Sequence, residues 1–146
     1  MPVTFHIEPP LKYSLKNRQI LKKWLKNIVE KEGKWLSEVN FIFCTDDYLY
    51  QLNTTHLNHH TYTDIITFDN SDAPHLIEGD IFISIDRVTE NAQKYHVTAQ
   101  AELLRVMAHG VLHLLGYKDK KTEDQNLMRL KENECIALFE QLSQPA

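Results

Sequence analysis

The sequence predicts an α+β fold in which a small mixed four-stranded sheet packs with about five helices. Two observations carry this. Short alternating or β-branched runs come early and are interrupted by a long helical pattern, and the later part of the chain holds three helical patterns in succession. At 146 residues, 42% of them apolar, the chain is expected to form one domain, 1–146, whose core needs neither disulfides nor a structural metal.

Residues 3–8 alternate as a strand does, and Pro9 and Pro10 stop it. From Ser14 the apolar residues Leu15, Ile20, Leu21, Trp24, Leu25, Ile28 and Val29 recur at helical spacing, ending near Gly33. Residues 39–45 form a second strand, and Asp46 or Asp47 caps a helix running towards His56. Residues 64–69 and 80–85 are the third and fourth strands, the latter with Ile81, Ile83 and Ile85 on one side. Helices are expected over 86–96, 98–115 and 122–142, and flexible pieces over 69–78 and 143–146.

Several function classes are excluded at once. The longest apolar run is the five residues 135–139, against the roughly 20 that a membrane-spanning helix needs. The N-terminal residues have neither a basic flank nor a long apolar stretch, so a cytoplasmic protein is expected. Cys44 and Cys135 have no CxxC spacing and read as buried, small apolar residues. The formal net charge of −4 hides an asymmetry: residues 11–34 carry eight basic and two acidic side chains. That basic helix, with Lys22, Lys23 and Lys26, either tracks phosphates or is a solvated helix face.

The densest chemical signal is the segment 107–119, MAHGVLHLLGYKD. His109 and His113 are four residues apart, which on a helix places both imidazoles on one face. Gly116 supplies a left-handed residue that ends the helix, and Asp119 then falls where a third ligand can approach. Two imidazoles and a carboxylate suit Zn²⁺ and leave a position open for water, as in catalytic sites. The residue after the first histidine is Gly110, which cannot act as the general base that HExxH proteases place there. Glu123 and Asp124 are near in sequence, but nothing in the spacing aims them inward.

The same segment, together with 63–68 (TDIITF), 78–84 (EGDIFIS) and 102–104 (ELL), resembles the bacterial YbeY family of rRNA maturation endoribonucleases over residues 41–138. The resemblance implies a zincin-like metal-dependent hydrolase cutting single-stranded RNA, with roles in 16S rRNA 3′ end processing and ribosome quality control. It also implies the ribosome or small-subunit ribosomal proteins as partners, and no membrane. Two departures stand out. The family pattern HGxLHLxGYDH has a third histidine where this chain has Asp119, and an aspartate where it has Lys118. A carboxylate oxygen is a harder ligand, which makes Mn²⁺ or another ion a rival to zinc. Leu57 stands where the family usually has an arginine implicated in RNA cleavage. Either Arg87, Lys118 or Lys120 substitutes, or cleavage is weak.

Three alternatives therefore stand: a metal-dependent endoribonuclease, a metalloprotease-like hydrolase, and a non-catalytic ribosome-binding factor with a retained metal site. His56, His59 and His60 read as loop residues near the site's rim, and Tyr62 and Tyr117 as packing against the sheet in preference to stacking on bases.

Overall fold

The computed structural model describes residues 2–144. Among them the chain runs β1 (Val3–Ile7), α1 (Arg18–Lys31), β2 (Trp35–Cys44), α2 (Asp46–Leu57), β3 (Ile65–Asp69), β4 (Leu76–Ser84), α3 (Ile85–Lys94), α4 (Ala99–Leu114) and α5 (Thr122–Ser143). The sheet order is β1-β2-β4-β3. β1, β2 and β4 run parallel and β3 antiparallel to β4, so the sheet is mixed, as expected.

Strand alternation divides the core in two. Val39, Phe41 and Phe43 of β2 and Ile81 and Ile83 of β4 are buried on one face with Leu21, Trp24 and Val29 of α1 and with Met107, Val111 and Leu112 of α4. Cys44, Leu49 and Ile66 form a smaller cluster with Tyr48, Leu52, Phe68 and Phe82. Each fully buried large apolar side chain contributes about 1.5–3 kcal/mol, so the first face dominates the fold's stability. Trp24 fastens α1 to α5: its Nε1–H donates to the Cys135 carbonyl at 2.7 Å, and its ring meets Phe139 edge-on at 5.3 Å. Both cysteines are buried, and desolvation pushes each thiol up to about 12.

Four boundaries differ from the sequence reading. α1 starts at Arg18, not Ser14, because Asn17 takes a left-handed conformation (φ 60°) that no helix continues through. β2 and β4 each start four residues early, since Trp35 pairs with Leu76 and the Trp35 N–H donates to the His75 carbonyl at 2.8 Å. Of the stretch 69–78, expected to be flexible, Asp69 and residues 76–78 are therefore strand, and residues 70–75 form the connection. Ser71 Oγ both donates to the Glu78 carbonyl and accepts from its N–H. Ile85 opens α3 instead of closing β4, because the Ser84 side chain caps the helix by accepting from Arg87 N–H at 3.1 Å. Of the expected flexible tail, Ser143 closes α5, and residues 145 and 146 lie outside the described residues.

Candidate metal centre

α4 is the spine of the site. Thr98 caps it by accepting from Ala101 N–H at 3.0 Å, and the helix is buried on most sides against β3, β4, α3 and α5. His109 and His113 lie on the face that reaches a cavity. The helix ends at Gly116, whose φ of 103° suits glycine, while the Tyr117 N–H returns to the Leu112 carbonyl at 3.0 Å. That reversal brings the Tyr117 carbonyl and the Asp119 carboxylate back beside His113.

The hydrogen bonds assign the protons. His109 Nδ1–H donates to Glu132 Oε2 at 2.7 Å, and His113 Nδ1–H donates to the Tyr117 carbonyl at 2.9 Å. Both Nε2 atoms are then unprotonated, yet they lie 2.9 Å apart, and Asp119 Oδ2 is 3.2 Å from each. Two lone pairs and a carboxylate oxygen converge with no hydrogen between them, which is the charge pattern a cation fills. Tetrahedral zinc with ligands at about 2.0–2.1 Å implies ligand–ligand separations of roughly 3.3 Å, so the 2.9 and 3.2 Å edges fit such an ion. His109, His113 and Asp119 form the metal-competent group found among the described residues.

Glu132, from α5, is the element that sequence spacing did not reveal. It is only 5% exposed, and its other oxygen accepts from Arg105 Nη1 at 3.0 Å. Arg105 in turn donates to Asn133 at 2.9 Å. Burial works against the charged form of His109, but the hydrogen bond and charge of Glu132, with Asp119 and Asp64, outweigh it and raise the imidazole's pKa. Burial likewise opposes ionised Glu132, and the hydrogen bonds from His109 and Arg105 outweigh it and lower its pKa.

Two cavities meet at His109 and Asp119. The larger, about 670 Å³, is lined by Leu57, His59, Asp64, Asp69 and Lys120 as well as by the ligands. The second, about 430 Å³, shares Asp64, Ile65, His109 and Asp119 with it and extends towards Tyr95, Glu102, Arg105 and Arg129. Burial, and after it the charge of Glu132, push the Asp64 carboxyl pKa up against the pull of His109.

The three cations considered as replacements for an arginine at Leu57 separate clearly. Lys120 lines the larger cavity, as Leu57 does. Arg87 does not: it is paired with Asp46 at 2.7 Å and lies over the Tyr62 ring at 5.5 Å. Lys118 is exposed and lines neither cavity. Nor do Lys22, Lys23 and Lys26 line either one, because α1 packs against β2, α4 and α5. His59 reaches the rim, whereas His56 and His60 do not line it. Tyr62 is not packed on the sheet; it stacks on Tyr50 at 4.5 Å and is half exposed. Tyr117 packs at the core's edge and donates through its hydroxyl to Glu32 at 2.8 Å. Glu123 and Asp124 line neither cavity.

Gly110 has a packing role. A Cβ there meets Ile65 Cδ1 at 2.9 Å and Ile81 Cγ2 at 3.0 Å, so this position faces the sheet, away from the ligands. A side chain at position 110 would therefore be aimed at the sheet and not at an ion that His109, His113 and Asp119 would hold.

A mixed sheet carrying one helix with two converging imidazoles, closed by a carboxylate after a glycine turn, is the arrangement of a protein that could hold one metal ion at this site. Endoribonuclease YbeY is the family whose pattern matches residues 9–140, beyond both ends of the 41–138 seen in the motifs. The chain belongs to this family. An Endoribonuclease YbeY of Cytophaga hutchinsonii is 52% identical over 134 residues, covering 92% of this chain and 94% of that one. Another, of Flavobacterium johnsoniae, is 49% identical over 87% of this chain and 91% of its own length. The solution structure of TM1509 from Thermotoga maritima superposes with a TM-score of 0.65 at 27% identity, covering 94% of this chain and 88% of that one.

Proposed function

We propose that the chain is a metal-dependent endoribonuclease that cuts single-stranded RNA in rRNA maturation, with His109, His113 and Asp119 holding one divalent ion, zinc by preference. The observation that carries this is the meeting of two unprotonated Nε2 atoms and a carboxylate where two polar cavities join, in a chain of the Endoribonuclease YbeY family. When bound, the ion supplies a water of lowered pKa and polarises a phosphoryl oxygen.

The chain's own residues do the rest. Glu132 holds the proton on His109 Nδ1, and the Tyr117 carbonyl holds that on His113 Nδ1, so both Nε2 atoms stay available. Asp64, between the cavities, accepts the proton that Gly110 cannot, its raised pKa matching that work. Lys120 supplies positive charge to the phosphate in place of an arginine at Leu57. The 16S rRNA 3′ end as substrate, ribosome quality control, small-subunit contacts and a cytoplasmic setting come to this chain through its family. No helix among the described residues is long and apolar enough to cross a membrane.

The test is His113→Ala. Elemental analysis is expected to show the metal lost, and cleavage of unstructured RNA lost with it, while the circular dichroism spectrum stays that of the parent. Parent-rate cleavage by the variant defeats the proposal. Casein offered to the metal-loaded parent is expected to remain intact, since position 110 faces the sheet. Ribosome co-sedimentation with no RNA cleavage would instead favour the non-catalytic factor.

A further inference from the structure

The second cavity holds a carboxylate that the chemistry above leaves unused. Glu102 sits on α4 two turns before His109, on the same side of the helix, and is only 7% exposed. Among the described residues its carboxylate accepts no hydrogen bond and joins no ion pair. Arg105, one turn on, has its guanidinium engaged by Glu132 and Asn133. The oxygens of Glu102 open into the cavity, for among the described residues no buried side-chain oxygen is left wholly enclosed without a partner. Burial, and then the charge of Asp64, push its pKa up. An ionised carboxylate is an acceptor only, and one with no protein donor that opens into a cavity is free to accept from donors on a ligand.

The rim supplies two further features. Tyr95 is 55% exposed at the end of α3, and Arg129 reaches Glu132 only at 3.7 Å with most of its side chain in solvent. A buried acceptor, an exposed aromatic ring and a solvent-facing cation lining one cavity are the counterparts of a base's donor edge, its π face and its phosphate.

We propose that this cavity is a nucleoside subsite beside the scissile phosphate and that it selects guanine, with the ring against Tyr95 and N1–H and N2–H donating to the two oxygens of Glu102. Guanine presents two adjacent donors on its Watson–Crick edge. Adenine and cytosine set one donor beside an acceptor, and uracil sets one donor between two acceptors, so each of these turns a lone pair towards the carboxylate. The assignment rests on the RNA reading only in placing the subsite next to the cut.

The test is therefore binding, not cleavage. Metal-loaded protein is titrated with guanosine 5′-monophosphate and with uridine 5′-monophosphate, following amide resonances of α4 and α3. Ribose and phosphate are common to both probes, so the ratio of their affinities reports the base. The guanosine nucleotide is expected to bind about tenfold or more tightly, the discrimination typical of one bidentate pair. Glu102→Gln, isosteric but with one acceptor replaced by a donor, is expected to bring the ratio near one, and Glu102→Ala to do the same. Tyr95→Ala is expected to weaken both nucleotides alike. Equal affinities in the parent, or an unchanged ratio in Glu102→Gln, overturn the proposal. So does displacement of the guanosine nucleotide by Mg²⁺ or Mn²⁺ acting on those same resonances, which would mark a cation site. A failure of the RNA reading shows separately, as parent-rate cleavage by His113→Ala.

Discussion

Glu132→Gln tests how the site is built, because the change keeps length and shape and removes only charge and one acceptor. Glu132 Oε2 accepts from His109 Nδ1–H at 2.7 Å and Oε1 accepts from Arg105 Nη1 at 3.0 Å. A glutamine must turn its NH₂ towards one of these donors. If it faces His109, the imidazole proton is driven to Nε2, the atom that would bind metal in the proposed site. If it faces Arg105, a mostly buried guanidinium loses one of its two partners and keeps only Asn133. Loss of a hydrogen-bonding group that orients a metal-binding histidine lowers affinity about 10–100-fold, or about 1.4–2.7 kcal/mol. The unpaired donor adds a stability cost of about 1–3 kcal/mol. Competition with a chromogenic chelator measures the first effect and thermal unfolding of the metal-free protein the second. Without the Glu132 charge, the His109 pKa is also expected to fall, followed through its ring resonances. A Glu132→Gln protein that binds metal as the parent does, with His109 titrating unchanged, refutes the reasoning.

Gly110→Ala is expected to destabilise the fold despite a gain in helix propensity of about 1 kcal/mol, because the added Cβ meets Ile65 at 2.9 Å and Ile81 at 3.0 Å. Overpacking of that kind costs about 1–3 kcal/mol, so Tm should fall by about 2–4 °C for each net kcal/mol; a higher Tm contradicts the packing role. Glu102→Gln should stabilise the protein at neutral pH. The folded-state pKa of Glu102 is raised above 4.5, so the folded state holds the extra proton as pH climbs past that value, and the ionised group weakens the fold above its raised pKa. The variant's advantage in Tm should therefore grow from about pH 4.5 upward and vanish below it; a constant difference across pH would contradict this. Lys120→Ala should slow RNA cleavage by on the order of 10², and Leu57→Arg in that background should recover part of the loss, since both line one cavity. An unaffected rate in Lys120→Ala removes that lysine from the reaction.

What the sequence determined by itself is the grouping of the candidate ligands. His109, His113, Gly116 and Asp119 lie within eleven residues, so helix pitch and one left-handed turn bring them together whatever else the chain does. The order of strands and helices was legible too, because alternation and helical spacing are local. Strand beginnings were not: Trp35 and Leu76 extend β2 and β4 because they find each other across the sheet. Only the tertiary structure decided that Glu132, 23 residues beyond His109, accepts from its ring, and that Asp64, in the bend just before β3, lines the same cavity as His109, His113 and Asp119. It also decided that Lys120, and neither Arg87 nor the α1 lysines, faces the cavity, and that Gly110 is there for the sheet. Periodicity records which face of an element is apolar; which charged group meets which depends on how the elements dock, and no single stretch of sequence carries that.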